Sequence, residues 1–222
     1  MMNHLAVYST YCGSTNNRTF AMQPADKRYP HYFISNNSEI LSIARNIGWT
    51  PIFLNLQVSD DPIISAMQAK IAKAIPHTIS PLLEYDYLFY MDDKINVNIN
   101  RMDEYVHILN ESTSSVALRS HPFLLTNNVL YEFGQAVAFP IYRNQWDKTI
   151  EFISEEATKG CKLFCQLYWT SAILRNMKHP DIESLNNIWY QSILRCGTNC
   201  QISFDIVSQQ FQSVTLLPLN IT

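Results

Sequence analysis

A mostly parallel, doubly wound α/β sheet flanked by helices is the architecture that this sequence predicts. Three observations lead to it. Short apolar runs rich in β-branched and aromatic residues alternate with amphipathic, helix-length segments over about the first 120 residues. One run, Tyr85–Met91, is apolar or aromatic everywhere except Asp86, as a central strand covered on both faces requires. A chain of 222 residues, 47% hydrophobic and 16% charged, is also long and apolar enough to close one sizeable core.

The elements follow in order. Leu5–Tyr11 reads as the first strand and ends in the turn signal Cys12-Gly13-Ser14. Tyr32–Ser35 is a short second strand. Asn36-x-x-Glu39 resembles a capping box, and Ile40, Ile43, Ala44 and Ile47 then recur at helical spacing until Gly48. Pro51–Asn55 returns as a strand. Asp61-Pro62 combines an N-cap with proline at the first helical position, and Ile63, Met67, Ile71 and Ile75 give that helix an apolar face. Pro76 ends it. After the central strand, a helix over Asn100–Leu109 is expected with Asn100 as its cap, then a strand over Ser115–Arg119. A polar helix spans Asn144–Thr158, Leu167–Leu174 is strand-like, and Ser184–Leu194 is a helix closed by Gly197. Thr198-x-x-Gln201 reads as a second capping box, opening a helix through Gln210. Repeats, low-complexity tracts and linkers are absent. The reading is one domain over 1–222, with a nucleotide-binding half at 1–121 and an α-rich acceptor or catalytic half at 122–222.

Composition narrows the function classes. A net charge of −3 argues against a nucleic-acid surface or a basic membrane patch. No run of about 18 apolar residues supports a membrane span. The N-terminal segment lacks a signal peptide's basic stretch and long apolar core, so a cytoplasmic location is expected and the sequons at Asn17, Asn36, Asn110 and Asn220 are expected to go unused. Cys12, Cys161, Cys165, Cys196 and Cys200 are an odd set, which favours reduced thiols. Cys161/Cys165 and Cys196/Cys200 are spaced C-x₃-C, whereas structural zinc more commonly uses two intervening residues.

The chemistry concentrates where the central strand stops. Tyr85–Met91 runs directly into Asp92, Asp93 and Lys94, placing carboxylates at the C-terminal edge of a parallel sheet, where open α/β folds bind ligands. Asp92 and Asp93 either hold Mn²⁺ or Mg²⁺ against a diphosphate or form a polar turn. His121, after the next strand, either reaches the same edge or is a hydrogen-bonded structural residue. Lys70 and Lys73 either meet phosphates or are solvated. Ser9, Thr10 and Tyr11 close the first strand, where hydroxyls and N–H groups can meet a nucleotide, although no Gly-rich fingerprint follows. Gln201 and Asp205 lie one helical turn apart and share a face, and Gln201 is equally readable as a capping residue.

Several segments together resemble one group of enzymes. They are Val7-Tyr8-Ser9-Thr10 with Gly13, Gly48-Trp49, Lys70-x-x-Lys73 with Pro76-His77, Met91-Asp92-Asp93-Lys94 and His121-Pro122. Arg175, Trp189 and Gln201-Ile202-Ser203-Phe204 continue the series. In this order the pieces resemble the GT-A-type glycosyltransferase-like domains of plant TOD/MUCI-type proteins and small viral capsid-glycosylating transferases. The resemblance implies a GT-A-like fold, a UDP-sugar donor, a glycan acceptor, transfer of a hexose or deoxyhexose, and a divalent metal, Mn²⁺ or Mg²⁺, on Asp92 and Asp93. Taken with the positional readings above, Ser9, Thr10, Tyr11, Lys70, Lys73 and Lys94 are expected to meet the donor, and Gln201, Asp205 and His121 to serve catalysis. Two departures stand out: Lys94 occupies the third place of an expected Asp-x-Asp, and Cys200 stands where an acid precedes the Gln-Ile-Ser-Phe run. The alternative these departures raise is a catalytically inactive nucleotide-sugar or glycan-binding module. An enzyme of another doubly wound class is a third reading.

Overall fold

The computed structural model describes residues 4–17, 22–95, 98–122 and 127–218. Asn220, the last of the sequons, lies outside the described residues. Among the described residues seven strands form one sheet: β1 (Leu5–Thr10), β2 (His31–Ser35), β3 (Thr50–Phe53), β4 (Tyr87–Met91), β5 (Val116–Ser120), β6 (Tyr168–Asn176) and β7 (Val214–Leu216). Their order is β3-β2-β1-β4-β6-β5-β7. The β1–β2, β2–β3, β1–β4 and β5–β7 pairs are parallel; β6 runs antiparallel to both β4 and β5. The expected mostly parallel α/β sheet is present, with β4 at its centre.

The helices are α1 (Ser38–Asn46), α2 (Pro62–Ala74), α3 (Met102–Glu111), α4 (Val129–Ala136), α5 (Pro140–Arg143), α6 (Trp146–Thr158), α7 (Ile182–Cys196) and α8 (Cys200–Val207). Alternation along the strands sends successive side chains to opposite faces. Leu5, Val7, Phe33, Phe89, Met91 and Leu174 pack with α1 and α3 on one face. Ala6, Tyr8, Ile34, Leu88, Tyr90, Leu118 and Ile173 pack with α2, α7 and α8 on the other. A third apolar cluster joins α4, α6, α7 and α8 through Phe133, Phe152, Cys196 and Ile202. Among the described residues no helix is long and apolar enough to cross a membrane.

The structure corrects several local expectations. Helix α1 is capped by Asn37, whose side chain accepts from the Glu39 amide. Asn36 is already engaged: it accepts from the Gly13 amide and donates to Gln57 O and Gln68 Oε1. A 3₁₀ turn over Ile99–Arg101, capped by Asn98, precedes α3, so Asn100 is not the cap. Asn199 rather than Thr198 caps α8, which ends at Val207 and continues as a 3₁₀ turn to Gln210. On α2 the fully buried positions are Ser65, Ala72, Lys73 and Ala74, while Ile63, Met67 and Ile71 are half-buried. That helix packs through small residues against β1 and α7, and this close approach brings a lysine inside. Periodicity did not reveal β7, α4 or α5, which are short.

Candidate functional site

The chain leaves β1 toward β2 and β3 on one side, and β4 lies on its other side, so the C-terminal ends of β1 and β4 flank a topological switch point. Asp92 stands at the end of β4, its amide donating to Ser171 O at 2.8 Å. Tyr90, two residues earlier, shares its face of the sheet and donates its hydroxyl to Asp92 Oδ1 at 2.5 Å. Lys73 Nζ reaches the same oxygen at 3.1 Å and lies 4.9 Å from the centroid of the Tyr90 ring. The Lys73 side chain is only 5% exposed, that of Asp92 21%. One turn earlier on α2, Lys70 donates to Cys200 Sγ at 3.1 Å, and Thr170 lies 3.7 Å from that sulfur. Cys200 is the first residue of α8, whose aligned amides favour negative charge.

These contacts shift the protonation equilibria together. Burial alone would raise the Asp92 carboxyl, but the Lys73 and Lys70 ammonium groups and the Tyr90 and Ser171 hydroxyls outweigh it and bring it down to about 2. Burial likewise pushes the Cys200 thiol up, and the same two lysines more than reverse this, so it ionises more readily than an ordinary thiol. Burial opposes the Lys70 charge, but Cys200 and Asp92 restore it and hold its pKa above the usual lysine value. Burial and the Asp92 charge carry the Tyr90 phenol well above its usual range, keeping it a donor.

Two positioning devices hold this cluster. Arg175, fully buried on β6, donates to Lys73 O at 2.7 Å, to Tyr8 Oη at 2.9 Å and to Asn186 Oδ1 at 3.1 Å. The Trp189 indole, also fully buried, donates to Cys200 O at 3.0 Å and to Ser203 Oγ at 3.2 Å. The first fixes the last turn of α2, the second the first turn of α8.

A second group lies along α8 and α4. Glu132 receives hydrogen bonds from Asn199 and Gln201 and lies 3.9 Å from His121 Nε2. Burial, then the Arg119 charge, lowers His121 to about 4, so its ring is neutral near pH 7. Tyr142 of α5 is close enough to feel the charges of Cys200, Lys73, Asp92 and Glu132; burial and the negative charges raise its phenol to about 12, against the opposing pull of Lys73. It links the two groups.

The residues singled out by sequence are therefore placed as follows. Lys70, Lys73 and Asp92 form one cluster, and Gln201 and His121 meet through Glu132. Asp93 is buried and Lys94 exposed. The Thr10 and Tyr11 hydroxyls donate to Ile34 O and Ser14 O, whereas Ser9 is fully buried with its Oγ unpartnered. Asp205 is fully buried: it accepts from the Tyr168 amide at 2.8 Å, its other oxygen has no partner, and burial raises its carboxyl well above the usual range. Sequence reasoning missed Tyr90, Thr170, Glu132 and Tyr142. Only Tyr90 carried a signal, its i, i+2 relation to Asp92. A cavity of about 600 Å³ opens beside the strand end, lined by His31, Trp49, Met91, Asn98 and Asn100 among others.

Solved structures share this arrangement of strands and helices. Mouse xyloside xylosyltransferase 1 superposes with a TM-score of 0.54 at 12% identity, covering 96% of this chain and 84% of that one. A mannosyltransferase from S. cerevisiae gives 0.51 at 10%, covering 97% and 69%. Core-mannan synthase A from Aspergillus fumigatus, solved in a Mn/GDP form, gives 0.51 at 9%, covering 97% and 73%. The fold is that of the GT-A glycosyltransferases. No protein-family model and no curated protein matches the sequence.

The metal that this fold implies is a hard divalent cation, which needs several free oxygen ligands. Here Asp92 Oδ1 accepts from an ammonium and a phenol, and Lys70 and Lys73 place two positive charges beside it. The neighbouring Cys200 offers soft sulfur, already paired with Lys70. Among the described residues no three His, Cys, Asp or Glu side chains gather to hold a metal ion. The residues at Asp92 do not fit Mn²⁺ or Mg²⁺.

Proposed function

We propose that this protein is a glycosyltransferase that moves a hexose or deoxyhexose from a nucleotide-sugar donor, a UDP-sugar, to a glycan acceptor. The observation that carries the reading is a pair of lysines, Lys73 buried and Lys70 half-buried, beside a strand-end carboxylate at the switch point of a GT-A fold. The donor diphosphate lies over the ends of β1 and β4, and its nucleoside enters the cavity beside Met91, whose volume suits a small ligand. Departure of the nucleoside diphosphate builds negative charge on the bridging oxygen, which the fixed ammonium groups of Lys70 and Lys73 stabilise without reorganising. Gln201 and the neutral His121, tied through Glu132, face the transferred sugar and its acceptor. The narrower kinship with TOD/MUCI-type and viral transferases rests on the short sequence pieces alone.

The test is release of nucleoside diphosphate from a panel of nucleotide sugars, with and without glycan acceptors. Turnover of one donor supports the reading. Tight UDP binding with no hydrolysis or transfer would instead make the chain a binding module, the alternative that Lys94 and Cys200 raise. No turnover and no binding would end both.

A further inference from the structure

Building on the nucleotide-sugar reading above, we propose that this crevice neutralises the donor diphosphate with the ammonium groups of Lys70 and Lys73 and places no divalent cation on Asp92. An ammonium carries three N–H donors. Lys73 uses one on Asp92 and Lys70 one on Cys200 Sγ, which leaves donors on both for phosphate oxygens.

Neither lysine is free to swing away and vacate a metal site. The Lys73 side chain is buried, its ammonium rests over the Tyr90 ring, and its carbonyl is tied by Arg175. The Lys70 ammonium is tied to the sulfur at the start of α8. A cation bound to Asp92 Oδ1 would therefore meet a fixed positive charge already on that oxygen. The carboxylate acts instead on the lysine. Its oxygen receives the Lys73 ammonium at 3.1 Å and holds it at the strand end. Asp92 thus positions the cation that meets the phosphates. Cys200 holds the Lys70 ammonium at 3.1 Å in the same way.

The two arrangements predict opposite responses to one substitution. On a metal site, removing the Asp92 charge abolishes diphosphate binding. On a lysine site, Asp92→Asn keeps the hydrogen-bonding shape, withdraws a negative charge from beside the phosphates and leaves Lys73 for the ligand.

The experiment is calorimetric titration of the full chain with UDP, once in EDTA and once in Mn²⁺, alongside titration with Mn²⁺ alone followed by electron paramagnetic resonance. Expected are UDP affinities within about threefold in the two buffers, no submillimolar Mn²⁺ binding, and Asp92→Asn binding UDP as tightly as the parent or more so. Lys70→Met, at a half-buried position and checked for folding by circular dichroism, should weaken UDP by about tenfold or more. A loss of about tenfold in EDTA that Mn²⁺ restores, or an equal loss in Asp92→Asn, overturns the inference and leaves the nucleotide reading standing. No UDP binding in any arm overturns both.

Discussion

At the scale of single residues, the least expected feature is a fully buried arginine with no carboxylate partner among the described residues. Arg175 spends its guanidinium on a phenol, an amide and a main-chain carbonyl, and stacks 5.8 Å from the Trp189 ring. Charged groups are seldom buried without such complete engagement, because an unsatisfied one costs several kcal/mol. Arg175→Met would leave Tyr8, Asn186 and the Lys73 carbonyl without their partner in a dry interior. A loss of about 3–5 kcal/mol is expected, read as a lower urea midpoint at unchanged slope. Arg175→Lys keeps the charge but cannot span three acceptors, so it should recover less than half of that loss. The residue was visible in the sequence only as one piece of a resemblance. Nothing in Leu174-Arg175-Asn176 says that the strand end is covered, since a charged residue there reads equally as a solvated edge. Lys70 and Lys73 read equally as phosphate-binding or solvated for the same reason. Their three-residue spacing put them on one face, but the isoleucines of α2 suggested that another face was inside. Burial of a polar residue is decided by what packs on it from far along the chain, and that cannot be read locally.

At the scale of elements, the types and order of the longer ones were legible and most helix starting points were not. Each main strand of the first half was found within two residues, because alternation and β-branching are local properties. The helix starts moved because each lies among several competing caps. Asn36 and Asn37 are equivalent in sequence, and only the tertiary partners of Asn36 make Asn37 the cap. At α8 the same competition has consequences for the site. Asn199 accepts from the Ile202 amide at 3.3 Å and also hydrogen-bonds Glu132, so it fixes the turn that presents Cys200 and Gln201. Asn199→Ala should cost about 1 kcal/mol, the usual value of an N-cap. It should also speed hydrogen exchange at the Ile202 amide while leaving α1 and α3 unchanged. Uniform acceleration across all helices would mean that Asn199 acts through global stability and not through this cap. The Asp61 cap of α2, by contrast, was read correctly, since Asp-Pro fixes both the acceptor and the first helical dihedral at one place.

At the scale of the molecule, the sheet order is the feature that local signals could not supply. A rhythm of strand, helix and strand implies parallel crossovers, and it does give the β3-β2-β1-β4 half of the sheet. It says nothing about β6, which comes from the second half of the chain and enters antiparallel between β4 and β5. That insertion bears directly on the division into 1–121 and 122–222. Both neighbours of β6 belong to the first half, so a fragment ending at residue 121 would contain β4 and β5 with the strand that joins them missing. It would also lose α7 and α8, which cover one face of β1 and β4, exposing Tyr8, Leu88 and Tyr90 on a bare face beside the unpaired edge of β4, an arrangement of the kind that aggregates. The two halves are therefore expected to fold only together. The fragment 1–121 should be insoluble or lack dispersed amide resonances. The whole chain should unfold in one step, with far-ultraviolet dichroism and tryptophan fluorescence coincident. Trp49 packs on the α1 side of the sheet and Trp189 on the α7 side, so single-tryptophan variants keeping one or the other report the two faces separately. Midpoints that differ between those two variants by more than their own destabilisation explains, or a soluble, cooperatively folded 1–121, would show the nucleotide-binding half to be a domain in its own right.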